Sequence, residues 1–387
     1  MYGDKMKKEI RKMFKDLDKP LLLVSVILII WGLLNIVTAS SRESVIRYDQ
    51  TLYYYFYKQL FFSVAALIGA FIIVMVPTKN YKWIIPILVL GVSFMMVGAA
   101  LSESKRGSHN WFMGLQPSEF AKPIFIVALA FFYENNYKKI REKGIEKYNA
   151  VGKAFVLTAI APFIILWQKD LGTMFITTVI VGSLFLFSPL YRKDKLRMIE
   201  VVAVVGVIFL GITFAFKGYI LSEEQTSRIT SFLSPCKNYD DAGYQICNGY
   251  IAINEGGLFG LGLGRSKQKY SYIPEPHTDS VFAIMAEEIG LVFSTIIFIL
   301  YFILIKRILH WAKNASTISG KYICLGIAVY IMMHIIVNLG GLFGLMPLTG
   351  VPLPFFTYGG SFGVSLIASL AIVQRVCIET KRKKIKL

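Results

Sequence analysis

Acidic residues are scarce in this sequence: 24 Asp and Glu stand against 42 Lys and Arg in 387 residues. Charged residues of both signs make up only 17%, whereas 55% are hydrophobic, with 29 Phe and 21 Tyr. A soluble domain of this size does not tolerate that composition, so a membrane protein is expected. Cysteine is also sparse. Cys236, Cys247, Cys324 and Cys377 are too few and too scattered for a disulfide framework or a zinc site. Cys236 and Cys247 share one polar loop placed outside the cytoplasm, where a disulfide survives; a bond and two free thiols are both open. The first apolar run, Pro20 to Ala39, lacks the short core and small-residue cleavage site of a signal peptide and is expected to persist as a helix. No internal repeat is visible, which counts against the inverted-repeat transporters.

The net charge of +18 raises nucleic-acid binding, but the cations fall in short runs between apolar stretches instead of forming one patch. No nucleic acid is expected; the runs read as topology. A span needs about 20 mostly apolar residues to cross roughly 30 Å of hydrocarbon. Segments near that length recur at 20–39, 59–76, 83–101, 120–133, 151–167, 171–190, 198–216, 280–305, 322–345 and 361–377. Loops rich in Lys and Arg stay cytoplasmic, and alternate loops hold twenty-seven against twelve such residues. Both termini are therefore placed inside, which requires an even number of spans. The expected architecture is all-α and polytopic: a basic N-terminus (1–19), one ten-helix membrane domain (20–377) and a basic tail (378–387). A large extracytoplasmic loop, 217–279, joins helices 7 and 8. A loop of that length, carrying Gly256, Gly257, Gly260, Gly262 and Gly264, is expected to hold short helices or re-entrant segments.

Ionisable groups at the rim of an apolar span are costly and mark candidate sites. Glu119 and Lys122, three apart at the start of the fourth span, share a helix face; Pro117 and Ser118 before them suit a helix start. A helix-entry ion pair and a functional pair are both open. Asp170 precedes the sixth span, where a helix N-terminus favours a carboxylate. Asp279 ends the long loop where the eighth span begins, a position suited to a general base that takes a hydroxyl proton; an N-cap is the plainer reading. His277, two residues earlier, is a possible proton partner. Glu287 and Glu288 lie further in, and at least one is expected to pair with a buried cation such as Lys122 or Arg375.

Six stretches carry a resemblance. They are Gln116-Pro117-Ser118-Glu119-Phe120-Ala121-Lys122, Gln168-Lys169-Asp170-Leu171-Gly172-Thr173, Gly243-Tyr244-Gln245, the glycine run Gly256 to Gly264, Pro274-Glu275-Pro276-His277-Thr278-Asp279, and Leu353-Pro354-Phe355-Phe356-Thr357-Tyr358-Gly359-Gly360-Ser361. In this order they resemble the successive signatures of SEDS proteins (RodA/FtsW/SpoVE-like), covering about residues 20 to 377. The resemblance implies a ten-helix peptidoglycan glycosyltransferase in the bacterial cytoplasmic membrane, joining lipid II units on the outer face for elongation, division or sporulation. Asp279 would be the catalytic base, acting with inversion and loss of a lipid pyrophosphate. Lys105, Arg106, Trp111, Gln116, Ser118, Glu119, Lys122, Asp170, Gln245, His277 and Ser361 would meet substrate. Positive charge for the leaving diphosphate would come from Lys105, Arg106, Lys122 or a divalent cation, Mg or Mn.

The resemblance also implies a class B penicillin-binding protein as transpeptidase partner, within an elongation or division complex; Gly340, Gly341 and Gly344 are candidate close-packing positions for it or for the chain itself. The chain departs from the family pattern at Asn110, where Arg is usual, at Lys169, where Pro is usual, and at Gly249, where Ser is usual. A lipid-precursor flippase and a noncatalytic scaffold for a partner synthase are the competing expectations.

Overall fold

The computed structural model describes residues 2–102, 108–142, 145–217, 223–233, 235–236, 241–270, 273 and 276–385. Lys105 and Arg106, and Pro274 and Glu275 of the long loop, lie outside the described residues. Regular structure among the described residues is helical. In chain order the helices are α1 (Tyr2–Asp16), α2 (Lys19–Tyr48), α3 (Tyr54–Met75), α4 (Thr78–Ala100), α5 (Pro117–Asn135), α6 (Tyr137–Arg141), α7 (Ile145–Trp167), α8 (Leu171–Phe187), α9 (Arg192–Lys217), α10 (Glu223–Leu233), α11 (Asp241–Gly256), α12 (Val281–Asn314), α13 (Ile318–Leu342) and α14 (Gly360–Ile385). A helix lies at each of the ten segments expected to span. Seven of the described helices are long and apolar enough to cross a membrane: α2, α3, α4, α7, α12, α13 and α14. Helix α8 is a shorter apolar one, while α5 and α9 carry charge in their first turns. The chain is an all-α, multi-pass membrane protein.

Burial sorts the helices. In α13 and α14, 78% of the apolar window is buried inside the protein, against 17% in α4, so the first two are the axis of the bundle and α4 is a rim helix. Phe61, Trp83, Leu90 and Phe94 on α3 and α4 are exposed, a surface suited to lipid. Gly340, Gly341 and Gly344 pack within the chain, against Met346, Leu348 and the Tyr250 hydroxyl respectively, and are not a docking surface.

The end that holds both termini is locked by charge. Asp18 caps α2 by accepting from the Leu21 N–H (2.9 Å), with Pro20 in the first turn. Its carboxylate also takes the Arg307 guanidinium (2.6 Å) and the Trp311 indole N–H (2.8 Å). Burial works to raise the Asp18 carboxyl, but these hydrogen bonds outweigh it and hold it below the usual carboxylate range. Lys381 donates to the carbonyls of Asp16 and Leu17, and Arg382 pairs with Asp16 at 2.7 Å, so the end of α14 clasps the α1–α2 junction. Met13 and Leu17 seat this end against Val74, Ala371 and Ile378.

At the other end the described residues of the segment 217–279 include the helices α10 and α11. Cys236 and Cys247 form a disulfide, which joins the end of α10 to α11. The glycine run has a specific task. Helix α12 breaks at Gly290, which has φ 75 and ψ 178. In an unbroken helix the N–H groups of Leu291 and Val292 would donate to the carbonyls of Glu287 and Glu288, four residues back. Instead the glycine run fits between them. Leu261 and Gly262 donate to Glu287 and Glu288 (2.9 and 3.0 Å), while Leu291 and Val292 donate to Gly257 and Leu258 (2.9 and 3.1 Å). All four groups released by the break are satisfied, as a low-dielectric setting demands. The approach needs glycine: a Cβ at Gly260 would stand 2.2 Å from the Glu288 carbonyl oxygen, and the residue has φ 80.

The two adjacent glutamates serve this junction, which corrects the expected pairing with Lys122 or Arg375. Glu287 accepts from the Lys267 N–H (2.7 Å) and the Ser266 hydroxyl, capping the 3₁₀ turn Gln268–Tyr270. Glu288 pairs with Lys269 at 3.0 Å, both buried. Lys122 and Arg375 find nearer acids on their own helices, Glu119 and Glu379. The break at Gly290 turns this part of α12 toward the loop, so the loop supplies the cation.

Gly260→Ala is expected to cost about 2 kcal/mol through overlap and strain, lowering the thermal midpoint in detergent by several degrees. Gly182→Ala, on α8 with open space around its Cα, should leave it unchanged or higher. A pH effect follows from Asp18. Its folded pKa is depressed, so its contribution is complete above the unfolded carboxylate value of about 3.9 and is lost as pH falls through the folded value. Thermal midpoints measured from pH 6 downward should fall less steeply in Asp18→Asn than in wild type.

Candidate active site

Residues 346–359 link α13 to α14 without helix, so their backbone groups need partners from elsewhere. Helix α13 supplies two from one face, four residues apart. His334 Nδ1 lies 3.2 Å from the Pro352 carbonyl, and Asn338 Nδ2 donates to the Val351 carbonyl at 2.8 Å. The Tyr301 hydroxyl donates to the Pro354 carbonyl, Thr357 Oγ1 accepts from the Leu353 N–H (2.8 Å), and Gln59 Oε1 accepts from the Gly359 N–H (3.2 Å). The same segment grips the end of the long loop: Tyr358 N–H donates to His277 O (3.0 Å), and Thr357 Oγ1 donates to Thr278 O (3.2 Å).

This grip places Asp279. Asn338 Nδ2 also donates to the Asp279 carbonyl at 3.0 Å, and the Asp279 carboxylate lies against Gly350, where a Cβ would stand 3.4 Å from Oδ2. Gly350 has φ 71, so glycine serves both the turn and the close approach. The N-cap position of α12 is Ser280, so Asp279 is not the cap. Ser280 Oγ accepts from Gln245 Nε2 at 2.9 Å, which brings α11 to the same corner.

One turn from Asn338, His334 meets a buried cation. Lys122 Nζ stands 2.9 Å from His334 Nε2 and 2.7 Å from Glu119 Oε1. Lys122 and Glu119 are each 1% exposed and His334 is 0%. A carbonyl only accepts, so the contact with Pro352 puts the imidazole proton on Nδ1 and leaves Nε2 as the acceptor for the ammonium. His334 is thus neutral and stacks on Phe362 with ring centroids 4.6 Å apart. Glu119 Oε2 is buried with no hydrogen-bond partner among the described residues, as is Ser118 Oγ.

Asp170 caps α8, accepting from the Thr173 N–H and hydroxyl (both 3.0 Å), and takes Asn110 Nδ2 at 2.8 Å. It lies near enough to act on the charge of Glu119. Gly172, just inside α8, packs on Thr349, whose neighbour Gly350 touches Asp279. Asp279, Asp170, Glu119, Lys122 and Gln245 therefore gather around the 346–359 segment, at the end of the bundle opposite the termini.

The remaining candidates point elsewhere. His277 is 3.1 Å from Glu43 Oε2 on α2 and sits between Tyr55 and Tyr358. Ser361 Oγ accepts from the Gln116 N–H at 3.1 Å, a bond that ties α14 to the start of α5. Trp111 is 39% exposed at the rim, its carbonyl accepting from Ser102. His334 and Asn338 were missed from the sequence, although two polar residues four apart inside the apolar run 322–345 are the signal that finds them.

Among the described residues no cluster of three or more His, Cys, Asp or Glu is placed to hold a metal ion. The donors near Asp279 are hard oxygens that fit a Mg- or Mn-type ion only with water or substrate oxygens completing its shell.

The sequence profile of the cell cycle proteins FtsW, RodA and SpoVE matches residues 19–382. The chain belongs to this family. Among family members, it is 34% identical to the probable peptidoglycan glycosyltransferase FtsW of Bacillus subtilis (strain 168), over 97% of this chain and 95% of that one. It is 31% identical to the stage V sporulation protein E of the same organism, over 93% and 96%. Of solved structures, a chain of a peptidoglycan synthase complex that coordinates polymerization and crosslinking shares the fold, with TM-score 0.71 and 21% identity over 94% of this chain and 98% of that one. The rod shape determining protein RodA of Thermus thermophilus follows with TM-score 0.65 and 22% identity over 93% and 96%. The helical architecture described above is thus the FtsW/RodA/SpoVE fold.

Glu119→Gln or Lys122→Met alone strands a buried charge and should cost about 3 kcal/mol. The double variant removes both charges and should lose less than the two single losses together. Thermal unfolding in detergent, run as a double-mutant cycle, measures this coupling.

Proposed function

We propose that this chain is a peptidoglycan glycosyltransferase that joins lipid II units into glycan strands at the outer face of the bacterial cytoplasmic membrane. Both termini are cytoplasmic in this reading, supported by the twenty-seven against twelve count of cations in alternate loops. The observation that carries the reading is the placement of the Asp279 carboxylate. It stands at the turn of Gly350, its backbone fixed by Asn338, and Asn338 lies one turn of α13 from His334, which with Glu119 holds the Lys122 ammonium.

Asp279 takes the proton from the attacking sugar hydroxyl as that oxygen bonds to the anomeric carbon of the other sugar. The bond to the lipid diphosphate breaks on the opposite side, so the anomeric configuration inverts. Asn338 and Gly350 hold the base in place, so its geometry is set before substrate arrives. The Lys122 charge, locked between Glu119 and His334, favours the developing negative charge on the leaving diphosphate. A divalent cation, held by Asp279 or Asp170 together with diphosphate oxygens, would supply further positive charge there. The names of the family relatives support the reaction class. A class B penicillin-binding protein, within an elongation or division complex, is the proposed transpeptidase partner, a reading supported by the synthase complex that shares the fold.

The test is strand polymerisation from purified lipid II by this protein with its partner. Asp279→Asn is expected to keep the thermal midpoint and to lose activity by at least about a hundredfold. An Asp279→Asn form that polymerises normally removes the assignment of the base. Lipid translocation without glycan product by the wild type would replace the reading with a flippase, and stimulation of a partner with no activity of its own would make it a scaffold.

A further inference from the structure

The elbow between α7 and α8 places an unfavourable residue in a strained conformation. Helix α7 ends in a Schellman motif: the Lys169 N–H donates to the Leu166 carbonyl (3.0 Å) and the Asp170 N–H to the Ile165 carbonyl (3.4 Å). The residue after such a helix end must adopt the left-handed conformation, and glycine is the usual choice. Here it is Lys169, with φ 60. A lysine pays about 1 kcal/mol for that backbone. Every neighbour fixes the elbow: Gln168 Nε2 donates to the Met96 carbonyl (2.7 Å), and the Gln168 carbonyl accepts from the His109 N–H (2.9 Å).

The lysine gains little locally in return. Its side chain is exposed and has no ion pair, hydrogen bond or ring contact with the described residues. The carboxylate of Asp170 beside it is already committed to Thr173 and Asn110. A cation near the C-terminus of α7 does interact with the helix dipole, but an exposed one recovers only about 0.3–1 kcal/mol. Glycine there would be at least as stable. A strained residue held by rigid surroundings, with a free charge beside a candidate site, is where a function is to be sought.

Resting on the reading above, we propose that Lys169 is a phosphate contact at the mouth of the site, binding the anionic phosphate of a lipid at the membrane surface. Three residues along the chain, Gly172 packs on Thr349, and Thr349 adjoins the Gly350 that touches Asp279. Two sources offer this chemistry: the diphosphate of the lipid-linked substrate and the headgroup of an anionic phospholipid.

The experiment measures binding of farnesyl diphosphate and of farnesol to the purified full chain in neutral detergent, and of the chain to phosphatidylglycerol vesicles. Wild type, Lys169→Gly and Lys169→Arg are compared. Lys169→Gly should weaken farnesyl diphosphate binding roughly tenfold, the loss of one charged hydrogen bond, leave farnesol unchanged, and keep or raise the thermal midpoint. Lys169→Arg should restore the binding. A loss seen only with phosphatidylglycerol assigns the contact to bulk lipid. Equal binding of both anions by wild type and Lys169→Gly overturns the proposal, as does a lower thermal midpoint in Lys169→Gly, which would make the lysine a structural residue. The catalytic assignment is judged on polymerisation by Asp279→Asn and the Lys169 assignment on anion binding by Lys169→Gly without turnover, so failure of the one and failure of the other give different results.

Discussion

A backbone that leaves the helix inside an apolar bundle must find new partners for every N–H and C=O it releases, because lipid offers none. This chain leaves the helix at two places that matter, the break at Gly290 and the segment 346–359. Each is repaired by a different device. At Gly290 another stretch of backbone, rich in glycine, enters the gap and takes the four released groups. Along 346–359 polar side chains on α13, α12, α3 and the segment itself do so one by one. Asp279 lies against the second repair, just before α12 and at the turn of Gly350. Its position is therefore a consequence of satisfying backbone, through the Asn338 amide on its carbonyl and the close approach of Gly350.

The same logic explains the buried charges. A lysine 1% exposed is tolerable only with an acid and further hydrogen bonds around it. Glu119 supplies the acid, and His334 supplies a neutral acceptor because its other nitrogen is committed to the Pro352 carbonyl. The histidine thus joins two problems, a carbonyl that needs a donor and an ammonium that needs an acceptor, and couples the cation to the segment that holds Asp279.

Much of the fold was legible because it follows from one-dimensional quantities. Apolar runs near 20 residues located a helix at each expected segment. The Glu119 and Lys122 pair could be read from its spacing alone, since residues three apart on a helix share a face. What failed depended on three-dimensional direction. The partners of Glu287 and Glu288 were misjudged because the break at Gly290 re-aims that part of α12 toward Lys269 and the 3₁₀ turn. His277 could be read as a proton partner or as a structural histidine, and the contact with Glu43 on α2 is one that sequence proximity does not reveal. His334 and Asn338 escaped notice because neutral polar residues within an apolar run look like tolerated exceptions until the carbonyls they serve are located.

The two departures from the family pattern at Asn110 and Lys169 turn out to be neighbours in space. The His109 N–H donates to the Gln168 carbonyl, and Asn110 donates to Asp170, so the two stretches run side by side. An arginine at 110 would set a cation directly on the Asp170 carboxylate, inside the corner. Asparagine there gives Asp170 a donor without charge, and the cation instead stands one residue away at 169, exposed at the rim. The net charge of the corner is kept while its positive part moves outward. A proline at 169 is excluded by the left-handed φ of this elbow, so the two changes belong together: the elbow that accepts lysine at 169 is the one that brings it beside an asparagine-capped Asp170.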